Sequence, residues 1–224
     1  MQHQRKKPST HVCALIGATL LLAVPAAIYA DGANSTAPNH RAVLFSLGQT
    51  QQAAGDSVAE LTAKGYTAIN YQADKTATSG SIGYRHPLAN HWSVDTQYLN
   101  QGEAKPNLTA TLPAGKSNAQ AAQDMAESLP KRGQGISVAA LHHHAHNGNW
   151  TSHLGGGAFM WHSERKITVN GTSHTSNRDG ISPLVQAGLG YRITPRTSLE
   201  GTLQHTFMPD EAVTQLSVGL VIGF

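Results

Sequence analysis

Histidine offers this chain its most conspicuous chemistry. The tract His142-His143-His144-Ala145-His146 sets His142, His144 and His146 at alternate positions, which on an extended strand share one face. Imidazole is a common ligand for zinc and other transition metals. On a flat strand, however, alternate side chains stand about 7 Å apart, too far for two rings to hold one ion without a bend. The tract is therefore expected to be an amphipathic interfacial turn and not a metal site. A second histidine, His205, lies with Thr206 close to Glu200 and raises the question of an acyl hydrolase. No serine stands at nucleophile spacing to it, and alternation groups His205 with the apolar Leu203 and Phe207. Leu112-Pro113-Ala114-Gly115-Lys116-Ser117 ends like a phosphate-binding loop, but Ala110 stands where the first glycine is required and no apolar strand-to-helix context follows. The expectation is a protein without catalytic residues, cofactor or metal.

Charge and cysteine usage narrow the partners. Of the 224 residues, 16 are Lys or Arg and 13 are Asp or Glu. The first 30 contain Arg5, Lys6 and Lys7, no acid and the only cysteine, Cys13. A basic start, an apolar stretch over 13–30 and a small-residue end at Ile28-Tyr29-Ala30 predict a signal peptide over residues 1–30, followed by a short segment, 31–40. Without that signal, basic and acidic residues number 13 each, so the basic pI does not indicate a polyanion partner, and nucleic acid is excluded. The exported part has no cysteine to form disulfides or thiolate metal sites.

No apolar window after residue 30 approaches the ~18 residues of a transmembrane helix, whereas a transmembrane barrel strand needs only ~9 to 11, alternating apolar and polar. Alternation recurs throughout. Near the C-terminus Leu216, Val218, Leu220, Ile222 and Phe224 oppose Gln215, Ser217, Gly219, Val221 and Gly223. Leu199, Leu203 and Phe207 oppose Glu200, Thr202, Gln204 and Thr206, and Val185, Ala187, Leu189, Tyr191 and Ile193 oppose Ser182, Gln186, Gly188, Gly190 and Arg192. Eight strands are predicted near residues 41–50, 75–86, 91–100, 134–145, 150–162, 181–193, 197–207 and 213–224. One hairpin closes at Asn147-Gly148, a strong tight-turn signal; it is the least regular, because Phe159 and Trp161 break the parity of Leu154 and Met160, which a bulge would explain.

An internal repeat suggests what the polar faces do. Ile82-Gly83-Tyr84-Arg85, a turn, then Trp92-Ser93-Val94-Asp95 parallels Leu189-Gly190-Tyr191-Arg192, a turn, then Ser198-Leu199-Glu200. This register places Asp95 and Glu200 opposite Gly83 and Gly190, diagonal to Arg85 and Arg192, and predicts interior ion pairs. Connections alternate between short and long, with polar stretches at about 51–74, 101–133 and 163–180. This is the outer-membrane barrel layout of short periplasmic turns and long extracellular loops. Tyr84, Trp92, Trp150 and Tyr191 near the short turns form a candidate aromatic girdle.

Residues 180–195, Gly-Ile-Ser-Pro-Leu-Val-Gln-Ala-Gly-Leu-Gly-Tyr-Arg-Ile-Thr-Pro, and the closing Leu216-Ser217-Val218-Gly219-Leu220 with Phe224 resemble the last strands of the OmpA-type transmembrane barrel. Gly83-Tyr84, Leu154-Gly155-Gly156 and Met160-Trp161 are similar to its middle strands. The resemblance spans most of 41–224 and implies an all-β, eight-stranded antiparallel up-and-down transmembrane barrel in a Gram-negative outer membrane. It also implies chaperone-assisted delivery to the barrel-assembly machinery, with Phe224 as the assembly signal. A peptidoglycan-binding domain like that family's is not expected here, so a cell-wall tether is not carried over, and the family's ion-pair network does not transfer position by position.

A barrel of eight strands is just wide enough to be filled by its own side chains, so Arg85, Asp95, Gln97, Gln186, Arg192, Glu200, Gln204 and Gln215 are expected to plug it with a structural role. Two short loop helices are expected, Asp56 to Lys64 and Ser117 to Leu129, as polar surface decoration without a strong apolar stripe. The expected function is a structural or surface-interaction role, such as adhesion or colonisation, of a monomer in contact with outer-membrane lipid, lipopolysaccharide and a host or cell-surface ligand. The alternatives are a lipid A-modifying barrel enzyme and a soluble, lipocalin-like exported barrel, whose apolar faces would turn inward.

Overall fold

A computed structural model describes residues 40–52, 57–72, 75–88, 91–103, 107–128, 132–146, 148–208 and 211–224. The expected signal peptide, nearly all of the 31–40 segment and Pro209-Asp210 of the last loop lie outside the described residues. The elements in chain order are β1 (Ala42–Gln52), α1 (Ser57–Ala63), β2 (Thr67–Gln72), β3 (Thr76–Pro87), β4 (Trp92–Asn100), β5 (Asn107–Thr111), α2 (Asn118–Ser128), β6 (Gln134–Ala145), β7 (Trp150–Val169), β8 (Thr172–Thr194), β9 (Thr197–Met208) and β10 (Glu211–Gly223).

Eight of the strands close into an antiparallel barrel in the order β1, β3, β4, β6, β7, β8, β9, β10 and back to β1. The stagger follows from the register. A walk from Ala42 through Arg85, Asp95, Ala139, Gly157, Leu184, Thr206 and Val213 returns to β1 at Gln52, ten residues from its start. With ~3.3 Å of rise per residue and ~4.8 Å between strands, this stagger corresponds to a strand tilt of roughly 40° and a radius of about 8 Å.

The alternation read from the sequence decides which side of the wall each residue occupies. Leu47, Ile82, Leu154, Val185, Leu189, Phe207, Leu216 and Val218 face outward and are exposed, while Arg85, Asp95, Gln186, Glu200, Gln204 and Gln215 face inward and are buried. Apolar-out, polar-in is the arrangement for a lipid surround, and it overturns the soluble lipocalin-like alternative, which needs the reverse. An apolar belt of this extent would drive association in water.

The third hairpin corrects an expectation. No bulge interrupts β7: its pairing with β6 and β8 is continuous, and Phe159 and Trp161 point into the lumen, 0% and 5% exposed. Parity holds, and it is the lumen that is partly apolar. Leu99, Ala139, Leu141, Phe159, Trp161, Leu184, Met208 and Val213 form one buried cluster, weighted towards the long-loop half. Interior rings require glycine on the facing strand: a Cβ on Gly180 would lie 2.4 Å from the Trp161 indole, and one on Gly188 2.3 Å from the His153 imidazole. Trp161 Nε1 then reaches across to donate to Ser182 Oγ at 2.9 Å, which supplies the buried indole with its partner.

A second correction concerns residues 163–180. They are not a loop: β7 and β8 run on together beyond the barrel and turn at Asn170-Gly171, both at positive φ, 47° and 81°. Two consecutive left-handed residues make the tight hairpin turn whose twist suits the flanking strands.

Candidate functional site in the lumen and the cap

The repeat positions the lumenal charges, with a register that differs from the one inferred from sequence. Asp95 pairs directly opposite Arg85, and Gly83 opposite Gln97, whereas Glu200 does lie opposite Gly190. Arg85 makes two bidentate contacts. Its Nε and one Nη donate to the Asp95 carboxylate at 2.8 Å each, and its two Nη groups donate to Glu200 at 2.9 and 3.1 Å. Glu200 thus pairs with the arginine of the other repeat, Arg85, while Arg192 is half-buried nearer the short turns. The planar fork explains why one arginine serves two carboxylates across the lumen.

Two histidines complete this layer. His153 Nδ1 is 3.8 Å from Glu200 Oε2, and the rings of His143 and His153 lie 5.7 Å apart. Ser93 Oγ is 2.7 Å from His143 Nε2 and 3.5 Å from Asp95 Oδ1. Sequence spacing did not reveal this Ser–His contact, because it joins strands 50 residues apart. Ser93 is fully buried, so a substrate carbonyl does not reach it. Gln186 and Gln204 face each other, both buried, with Gln186 Nε2 3.4 Å from His153 Nε2. Beside them is a cavity of about 30 Å³ bordered by Ser81, Gln97, Gln186, Glu200, Gln204 and Gln215, room for about two waters.

The outer rim at the short-turn end carries the four aromatic residues expected to form a girdle. Tyr84, Trp92, Trp150 and Tyr191 all face outward, 36 to 51% exposed. The ring of Trp150 lies 5.0 Å from Tyr191, Trp92 5.1 Å from His142, and Tyr84 6.4 Å from Phe224. The Phe224 amide donates to the Arg41 carbonyl at 3.0 Å, extending the closure of β10 on β1. The rings of His144 and His146 stand 5.2 Å apart, closer than flat-strand spacing, because the strand ends at Ala145. His146 Nε2 is shared with Ser152 Oγ at 2.8 Å, and among the described residues no three His, Cys, Asp or Glu side chains converge as metal ligands. His205 faces outward, as its parity requires, against Phe207 at 4.7 Å and Thr214 Oγ1 at 2.9 Å.

At the opposite end the loops do more than decorate. Leu61 of α1, Tyr66, Ala110 of β5, Ala121, Ala122 and Met125 of α2, and Ile167 and Val169 of the extended β7 form a second buried core, joined by Ile69 and Leu112. Both expected helices are present, but they pack and do not lie free. β5 pairs antiparallel with β2 and parallel with β7. The Asn170 side chain imitates a peptide group, accepting from the Ala110 amide and donating to its carbonyl, both at 3.1 Å. The three connections thus form one folded cap.

A polar triad pins α2 to this core. Tyr66 Oη and Lys116 Nζ both donate to the Asp124 carboxylate, and Lys116 Nζ also lies 5.2 Å from the centre of the Tyr66 ring. Burial by itself would raise the Asp124 pKa, but hydrogen bonds from Lys116 and Tyr66, with the charges of Lys116 and Lys64, hold it below the usual carboxylate range. Burial, then the hydrogen bond and charge of Asp124, pushes the Tyr66 phenol upward.

The cap was not evident in the sequence because each loop contributes only a few apolar residues. No single window shows a stripe, and the core exists only once 61–69, 110–125 and 167–169 are brought together. One signal was available: Asn170-Gly171 after Ile167 and Val169 matches the pattern that marked the hairpin at Asn147-Gly148.

No family model matches the chain, and no curated protein matches it. Solved structures do. Neisserial surface protein A superposes with a TM-score of 0.52 at 14% identity, over 82% of this chain and 97% of that one. The N-terminal barrel domain of OprF from Pseudomonas aeruginosa gives 0.48 at 13%, over 83% and 98%, and the attachment invasion locus protein of Yersinia pestis 0.45 at 15%, over 83% and 99%. Identities this low speak to fold alone. A closed eight-stranded wall, apolar outside and charged within, matched over nearly the whole of a solved outer-membrane barrel, gives this chain the fold of the OmpA-like eight-stranded outer-membrane barrels.

Proposed function

We propose that the protein is an outer-membrane barrel that presents a folded recognition cap at the cell surface and acts in adhesion or colonisation through it. The observation that carries this is the cap core: three connections distant in sequence bury Leu61, Tyr66, Met125, Ile167 and Val169 together. Loops that only join strands do not need a shared core. A pre-ordered surface binds without the entropic cost of ordering on contact. In this proposal residues 1–30 direct export, Phe224 serves assembly, and lipopolysaccharide surrounds the cap. The lumen is structural: it is filled by ion pairs and an apolar plug, and its cavity holds about two waters, so it is not a wide diffusion pore.

The test compares cells producing the wild-type chain with cells producing L61D/M125D, which unfolds the cap and leaves the eight-stranded barrel intact. Surface level is matched by heat-modifiable gel mobility and whole-cell protease accessibility. Adhesion to epithelial cells and extracellular matrix should fall to the level of cells lacking the protein. Equal adhesion by the cap-unfolded variant would remove the proposal.

A further inference from the structure

The exposed acids gather at one end of the barrel, whereas exposed cations occur at both, with Lys64, Lys75 and Lys166 at the long-loop end. Among the described residues the exposed acids Glu60, Glu103, Glu164 and Asp179 all belong to the long-loop end. Among the described residues of the short-turn end the acidic side chains are Asp95 and Glu200, which lie inside the lumen on Arg85. The outer rim there presents Arg41 and Arg196, both exposed, which flank the end of β10: the Gly223 amide donates to the Arg196 carbonyl at 2.7 Å and the Phe224 amide to that of Arg41.

The rest of this rim is imidazole seated on the aromatic girdle. On β3, His86 lies 6.3 Å from Tyr84; across the β3–β4 turn, His91 lies 6.3 Å from His142, which packs on Trp92 at 5.1 Å; and His144 of β6 pairs with His146 just beyond its end. His40 is exposed beside Arg41. The neighbouring elements face these rings with Ser152 and Trp150 from β7, and with Tyr191 and the half-buried Arg192 from β8. None of these adds negative charge at neutral pH. His143 points the other way, into the lumen.

An aromatic girdle marks the depth at which lipid headgroups lie, so these cations meet lipid phosphates and not the hydrocarbon. We infer that the short-turn rim is a binding annulus for anionic phospholipid headgroups, with Arg41 and Arg196 engaging phosphate and the histidines seated beside them on the girdle. Each cation near a membrane surface strengthens anionic-lipid binding by about fivefold. The inference rests on the bilayer-spanning proposal.

The tryptophans supply the probe. Trp92 and Trp150 are 44% and 51% exposed in the girdle, while Trp161 is buried in the lumen. The full chain is refolded into vesicles of phosphatidylcholine mixed with phosphatidylglycerol, and quenching is compared when one or the other lipid has brominated chains, giving the relative occupancy of the annulus. Phosphatidylglycerol should be preferred by at least about fivefold. R41Q/R196Q should bring the ratio close to one, and H86Q/H91Q/H142Q/H144Q, which keeps both arginines, should retain the preference. Equal quenching by both lipids overturns the inference, as does a preference that survives in R41Q/R196Q. If R41Q/R196Q does not fold, the wild-type ratio decides by itself. Quenching by neither lipid would place the chain outside the bilayer and overturn both proposals.

Discussion

Replacing Arg85 by Met retains an unbranched side chain of similar length but removes four charge-assisted hydrogen bonds, two to Asp95 and two to Glu200. Two carboxylates that are 1% and 8% exposed would then face each other without a cation. Breaking a buried ion pair from one side costs about 3 to 5 kcal/mol, mostly because the remaining charge stays buried. Here two charges are left. The lumenal cavity beside Glu200 admits about two waters, which offset part of the second penalty, so the expected loss is about 4 kcal/mol. The assay is reversible urea unfolding in lipid vesicles followed by tryptophan fluorescence, with the slope unchanged and the midpoint lowered. R85M/D95N/E200Q removes the charge altogether and should recover most of the stability, since replacing a whole buried ion cluster by neutral groups is often close to neutral. If R85M unfolds within about 1 kcal/mol of wild type, the three groups are not mutually dependent in a dry lumen, and the plugged-lumen argument fails.

Three further outcomes follow from the same geometry. F159A empties a fully buried site in the apolar half of the lumen and should cost about 3 to 5 kcal/mol in the same urea assay; a loss below about 1 kcal/mol would mean that the wall collapses to fill the space. G180V would drive a side chain into the Trp161 indole, costing about 1 to 3 kcal/mol and shifting the fluorescence of that tryptophan to the red in W92F/W150F protein; an unshifted spectrum would contradict the ring-over-glycine packing. The cap should show a stability plateau against pH. The depressed Asp124 gives stability that is present above the unfolded carboxylate value of about 4 and lost as pH falls through its folded value. The raised Tyr66 gives stability that is complete below about pH 10 and lost as pH rises further. Limited proteolysis of the cap across pH would measure this, and D124N should abolish the acid-side fall; an unchanged fall in D124N would assign it to another group.

The amino-acid sequence by itself determined the wall. Period-two alternation is a local property, visible in ten residues, and it placed Leu216, Val218 and Leu220 outside and Gln186, Glu200 and Gln204 inside before any strand was paired. The same parity applied to β7, where inward Phe159 and Trp161 were misread as a bulge because apolar residues were assigned only to the lipid side. Pairing register was less accessible: a two-residue slip leaves every face unchanged, so parity did not distinguish Asp95 opposite Gly83 from Asp95 opposite Arg85. Only the closed barrel decided that Arg85 crosses the lumen to Glu200, since the distance between the two repeats is set by strand number and stagger and not by spacing along the chain. The cap lay furthest from view. Its core is a sum of a few apolar groups from three connections, and burial of that kind is a property of the assembled chain, without a local pattern in any one segment.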